Sequence, residues 1–190
     1  MKKTLFKITC GFVMLASLAA CKKQLELDPK QSVDASVALT TREGVTAAIT
    51  GVYASLKSTT NYGRDLLAVS EALADNGFAT GKSGRLQAEN QNSPGAHFVL
   101  WQNNYYAIAQ INQVLAAIPQ LNVSPAVTTA ERNSWEGQLY FLRALMYHDL
   151  ARTYGYEPTM GVQGQDRGSV PVMLQTPGTI EEAVAVKPPR

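Results

Sequence analysis

The 190-residue chain carries 17 Lys and Arg against 15 Asp and Glu, a formal charge of +2. Three of the lysines, Lys2, Lys3 and Lys7, lie within the first 20 residues; beyond them 14 basic side chains face 15 acidic ones, net −1. A near-neutral body with no block of Lys or Arg offers nucleic acid no electrostatic footprint, which excludes that class of partner.

Lys2 and Lys3 make a positive start, Leu5 to Ala20 an apolar run, and Ala19 and Ala20 put small side chains before Cys21. That is the three-part pattern of a secretory signal. The run contains Lys7 and falls short of the roughly 20 apolar residues a spanning helix needs. It is therefore not a transmembrane anchor by itself. Leu18-Ala19-Ala20-Cys21 resembles the bacterial lipobox, in which the cysteine is acylated and becomes the first residue of the mature chain. Only a thiol can carry the thioether-linked diacylglycerol. Several acyl chains, at about 0.8 kcal/mol per buried CH₂, anchor stably where one is marginal. The competing reading is a plain secreted protein whose cleavage site happens to precede a cysteine. Cys10 leaves with the apolar run, so no second cysteine remains for a disulfide. The mature chain must hold itself together by its core, and its length suits one domain.

Residues 22–40 are polar and without helical period until their end, as a linker from lipid to body would be. Thr40 and Glu43 have the spacing of a capping box. Behind them Val45, Ala48, Ile49, Val52, Tyr53 and Leu56 recur at three- and four-residue steps, which predicts an amphipathic helix over 41–57. Gly51 in its middle costs about 1 kcal/mol against Ala and suggests another helix close by. A shorter helix is expected over 64–74, with Leu66, Ser70 and Leu73 on one side, pairing antiparallel with the first.

Residues 75–97, rich in Gly and amides, read as a long loop; such loops are usually functional or disordered. Its amides can hydrogen-bond sugar hydroxyls and Phe78 can stack on a ring, and it can equally be a solvated excursion. Helix returns with Trp101, Tyr105, Ile108, Ile111, Leu115 and Ile118 on one stripe, ended by Pro119, with Trp101 read as core. Thr128 and Glu131 form a second capping-box pair. They open the longest helix, whose buried face is Trp135, Leu139, Leu142, Met146 and Leu150, widened by Phe141 and Leu145, with Gly155 as its stop. Beyond it the chain reads as irregular, with one strand candidate at 170–174 and no closing element.

Two helix pairs give an all-α expectation, an α-α superhelix of tetratricopeptide-like pairs with long irregular loops, although the repeat's own signature is not placed on either pair. No catalytic motif is present. The two histidines, His97 and His148, lack metal-ligand spacing, there is no nucleophile elbow or phosphate loop, and His148 and Asp149 are helical neighbours that do not face each other. Both histidines are assigned structural roles, and no cofactor or metal is expected.

The sequence "LELDP" shortly after Cys21, "AAITGVYASL", "WQNNYYAIAQINQVLAAIP", and above all "GQLYFLRALMYHDLARTYGYEP" followed by "SVPVML" resemble the N-terminal part of the SusD/RagB family. The resemblance runs over the mature chain, and the Phe-Leu-Arg-Ala run at 141–144 is its most specific part. It implies a lipoprotein on the outer membrane of Bacteroidota, facing the exterior, lipid-anchored through Cys21. Such a protein binds oligosaccharides or other nutrients without catalysing. It delivers them to a SusC-like TonB-dependent transporter. Family members are usually more than twice this length, so residues 41–190 are expected to be an incomplete SusD-like helical domain, after a signal at 1–20 and a lipid-anchored linker at 21–40. Ligand residues carried over from the family fall at Asp75, Asn76, Phe78, Asn90 and Asn92, with the rest in the absent part. Two other readings stay open: a helical-repeat envelope scaffold without ligand binding, and an envelope glycosidase with two carboxylates lining one cleft.

Overall fold

The computed structural model describes residues 35–93, 99–122, 124, 126–157, 159 and 169–186. Cys21, His97, the signal and most of the linker lie outside the described residues. Apart from Ala35, the described residues belong to one compact unit, 36–190.

Four helices carry the fold: α1 (Arg42–Leu56), α2 (Asp65–Leu73), α3 (Leu100–Ala117) and α4 (Thr129–Tyr154); a shorter α5 (Ile180–Ala185) follows. Single helical turns stand at Ala35–Ala38 and Gln87–Asn90, and a 3₁₀ turn, Ile118–Gln120, ends α3. The chain is all-α, as expected.

Thr128 caps α4 as the spacing predicts, its hydroxyl accepting the Glu131 N–H at 3.2 Å. The Glu131 carboxylate does not turn back to complete the box; it pairs with Arg42 at 2.6 Å, tying the first turns of α1 and α4 together. At α1 the cap is Thr41 rather than Thr40, with the Gly44 N–H on its hydroxyl at 3.1 Å. Thr40 instead donates back to the Val37 carbonyl at 2.7 Å. The turn is tight enough that a Cβ on Gly44 would stand 1.7 Å from the Ala38 oxygen, so the chain needs glycine there. Gly51 has no such neighbour: nothing lies within 4 Å of where its Cβ would be, and the close helix expected there is absent.

Helix α3 runs antiparallel to α4, since Trp101 meets Tyr154, Tyr105 meets Tyr147, and Asn112 meets Arg143. Helix α1 runs parallel to α4 and packs on both, so the expected pairing of α1 with α2 is not the main one; α2 packs chiefly on the Gln87–Asn90 turn. Val45, Ile49 and Val52 of α1, Ile111 and Val114 of α3, and Trp135, Leu139 and Leu142 of α4 form one apolar cluster, extended by Ile118, Leu121 and Val127. Ala107, Ile108, Met146, Leu150 and Val170 form a second. Burying each large aliphatic side chain contributes roughly 1.5–3 kcal/mol, so these clusters dominate the fold.

Two fully buried amides cross the core. Asn61 donates to the Asn104 side chain at 3.0 Å and, more weakly, to the Ser55 carbonyl at 3.4 Å; Asn104 donates to the Met146 carbonyl at 3.3 Å. They fix the loop after α1 against α3 and α4, because an amide buried without partners costs about 1–3 kcal/mol.

Several expected faces are rotated. On α3 the buried residues are Leu100, Asn104, Ala107, Ile108, Ile111, Asn112 and Val114, whereas Trp101 is 41% exposed. Trp101 lies at the edge of the core, stacked edge-on against Tyr154 at 5.2 Å. On α2 the buried residues are Asp65, Val69 and Ala72, not the Leu66, Ser70 and Leu73 side. On α4 the predicted stripe is buried, but Phe141 is 61% exposed.

Residues 170–174 form no strand. Their carbonyls are held by side chains instead: Tyr105 donates to the Pro171 carbonyl at 2.6 Å, and Asn112 and Tyr147 to that of Met173 at 2.9 and 3.0 Å. Met173 N–H returns a bond to the Tyr147 hydroxyl. A strand needs a neighbouring backbone for its ladder, and here two helices stand in that place. Burial raises the Tyr147 hydroxyl above its ordinary value, and that of Tyr105 too, which keeps both protonated as donors. Helix α5 lies in a region read as irregular. Thr179 caps it through the Glu182 N–H at 3.2 Å, and the Glu182 carboxylate accepts from Gly178 N–H at 2.8 Å.

Candidate functional site

The 75–92 loop turns back over the outer side of α2, and its conformation follows from a few unusual residues. Asp75, Leu86 and Asn92 take positive φ of 57°, 59° and 54°. Asp and Asn tolerate this left-handed region, but a leucine there is strained. Asn90 is half-buried, and its side-chain oxygen accepts the Ala79 N–H at 2.9 Å, closing the loop on itself across eleven residues.

Between this loop and α2 lies an open groove of about 410 Å³, whose lining includes Arg64, Glu71, Phe78, Thr80, Ser83 and Arg85. Phe78 is 83% exposed. Below the groove Asp65, buried at the start of α2, receives two guanidiniums: Arg64 through Nε at 2.7 Å and Nη2 at 3.3 Å, and Arg85 through Nη2 at 3.1 Å. The buried carboxylate raises the Arg64 pKa, mainly through the hydrogen bond. Both arginines thus hold fixed directions while staying partly exposed. A fixed planar fork of donors, an exposed ring and two hydroxyls are the components from which a polyol site is made.

Of the sequence-predicted site residues, Phe78 lines this groove. Asn90 shapes the loop from behind. Asp75, Asn76 and Asn92 are exposed at turns and do not line it. Asn76 N–H caps the end of α2 on the Glu71 carbonyl at 3.1 Å, and Asn92 N–H closes a turn on Glu89. Arg64, Arg85 and Glu71 were not expected. The signal for Arg64 was the Arg-Asp pair at the helix start; Arg85 carried none, since its partner is 20 residues away.

His148 is exposed, with Nδ1 3.7 Å from Asp149 Oδ1. Asp149 is buried and accepts the Tyr62 hydroxyl at 2.8 Å. Burial, and then that hydrogen bond, push the Tyr62 pKa up to about 12. Among the described residues no cluster of three His, Cys, Asp or Glu side chains is arranged to hold a metal ion, and no helix is long and apolar enough to cross a membrane.

The helices form an all-α scaffold with a lateral groove beside α2. The profile of a SusD-like family described as "Starch-binding associating with outer membrane" matches residues 24–186. The SusD-like protein P2 of Formosa agariphila is 30% identical over 184 residues, which cover 93% of this chain and 35% of that relative. The chain belongs to the SusD-like family, and it spans about a third of that relative's length. No solved structure matches it at a significant level.

Proposed function

We propose that this chain is part of a cell-surface lipoprotein that captures oligosaccharides and passes them to a SusC-like TonB-dependent transporter in the outer membrane, anchored there through acylated Cys21. The observation that carries the binding reading is the groove beside α2. Phe78 presents a ring face to solvent next to arginines already fixed by Asp65. Ordered donors beside an exposed ring lower the cost of holding a saccharide, because little side-chain freedom is left to lose. Among the described residues the groove lining holds one carboxylate, Glu71. Hydrolysis of a glycosidic bond needs two flanking the same bond, which favours capture over cleavage.

Titration calorimetry with a panel of soluble oligosaccharides tests this. Phe78→Ala should weaken the best binder by about tenfold, roughly 1.4 kcal/mol, without moving the melting temperature. A chain that binds no saccharide, yet retains a protein partner, would support the envelope-scaffold reading. Anchoring is tested separately: Cys21→Ser should abolish palmitate labelling and membrane fractionation, and a mutant that still fractionates with membrane would refute the lipid anchor.

A further inference from the structure

Arg143, in the Phe-Leu-Arg-Ala run, does not line the α2 groove but a separate cleft of about 510 Å³ formed by α3, α4 and the 174–176 segment. Its Nη1 donates to the Asn112 side-chain oxygen at 2.8 Å and, weakly, to the Leu174 carbonyl at 3.4 Å, while the guanidinium lies 5.3 Å from the centroid of the Tyr140 ring. Asn112 is itself buried and tied to Met173, so the guanidinium is held from behind. Among the described residues no carboxylate comes within ion-pair distance of it, and the cleft lining contains no Asp or Glu. Nε and Nη2 carry no hydrogen bond to the described residues. The cleft therefore holds one positive charge with an open edge, flanked by the amides Gln113 and Gln175 and by apolar Leu115, Ala116 and Leu174.

We infer that this cleft is a docking site for an acidic peptide segment. A Glu or Asp carboxylate would take the open edge of Arg143, in the planar, charge-assisted geometry that an arginine fork favours. The two glutamine amides match the donors and acceptors of a peptide backbone, and the aliphatic wall accepts an adjacent apolar side chain. An acidic saccharide fits less well: the cleft's aromatic ring, Tyr140, already has Arg143 over it, and branched aliphatic side chains offer no flat platform. The inference does not depend on the α2 groove binding sugar.

Calorimetry on the full 190-residue chain, using acetyl-Leu-Glu-Leu-amide and its uncharged acetyl-Leu-Gln-Leu-amide analogue, tests it. The acidic peptide should bind at least about tenfold more tightly, and added salt should weaken it. Gln175→Glu, which places a carboxylate in the cleft while leaving the Arg143 bonds to Asn112 intact, should abolish binding with an unchanged melting temperature. Phe78→Ala should leave it untouched. Equal affinity for the two peptides, binding of neither, or displacement by a glucuronate-bearing disaccharide as effective as the acidic peptide would overturn the assignment.

Discussion

The two sides of this molecule are held by different forces. Where α1, α3 and α4 meet, most of the buried residues are aliphatic or aromatic, and the buried polar side chains there, Asn61, Asn104, Asn112 and Asp149, each bond to a partner on another element. Where α2 meets the 75–92 loop, the apolar contribution is small, Val69 and Ala72 being the buried hydrophobic residues of α2, and the loop is fastened by Asp65 to Arg85 and by Asn90 to Ala79. The first arrangement is non-directional and gains with each square ångström buried. The second is directional, ends at the surface, and leaves its arginines half in water. On the function proposed for the groove, a loop on this directional side can adjust to a ligand without loosening the rest.

Removing apolar volume should hurt the first side most. Leu142 is fully buried in the larger cluster, and Leu142→Ala is expected to cost about 2–5 kcal/mol, read as a drop in the midpoint of urea unfolding. If the loss were no larger than that of a surface leucine such as Leu67, the clusters would not carry the fold as argued.

A smaller, more local loss is expected on the second side. Asp65→Ala removes the shared acceptor of Arg64 and Arg85 and should cost about 1–3 kcal/mol, since hydrogen bonds to charged groups are involved. Hydrogen exchange should accelerate in 75–92 while the α3 and α4 amides keep their protection. Uniform acceleration along the chain would erase the distinction between the two sides.

The smallest effect comes at high pH and marks where the two sides join. Tyr62 follows the α1 core but bonds to Asp149, with its folded pKa near 12 against about 10 in an unfolded chain. Between these values the folded protein holds a proton that the unfolded one has lost. The stabilisation is therefore complete below about pH 10 and is lost as pH rises through about 12. Tyr62→Phe should flatten that part of a melting-temperature profile, with the Tyr105 and Tyr147 hydroxyls, also raised by burial, accounting for the slope that persists.

What the sequence alone reveals follows the same division. The α4 face and its Thr128 cap were legible because both are local: apolar spacing along one helix, and a hydroxyl three residues from the amide it accepts. The α2 face was misread because Asp65 is buried by a partner 20 residues away, and no periodicity marks a charge that will be neutralised from a distant loop. Likewise Asn104 and Asn112 lie off the expected α3 stripe, yet both are buried, since their partners are supplied by other elements. The α5 helix could have been found, as Thr179 and Glu182 repeat the spacing used at Thr128 and Glu131. The strand expected at 170–174 is not formed, and nothing in its own residues shows that helix side chains rather than a neighbouring strand would receive its carbonyls. For the groove, the exposed ring was legible and the arginines were not.

That last segment has a consequence for how this region can vary. Tyr105, Asn112 and Tyr147 grip main-chain oxygens at Pro171 and Met173, and every amino acid has the same oxygen in the same place. The grip is therefore blind to the identity of most side chains it holds in 170–174. Exchanges at Val172 and Leu174 that preserve the backbone path should be accommodated by the same three side chains, whereas Val170, buried in the second apolar cluster, is held through its side chain and stays apolar.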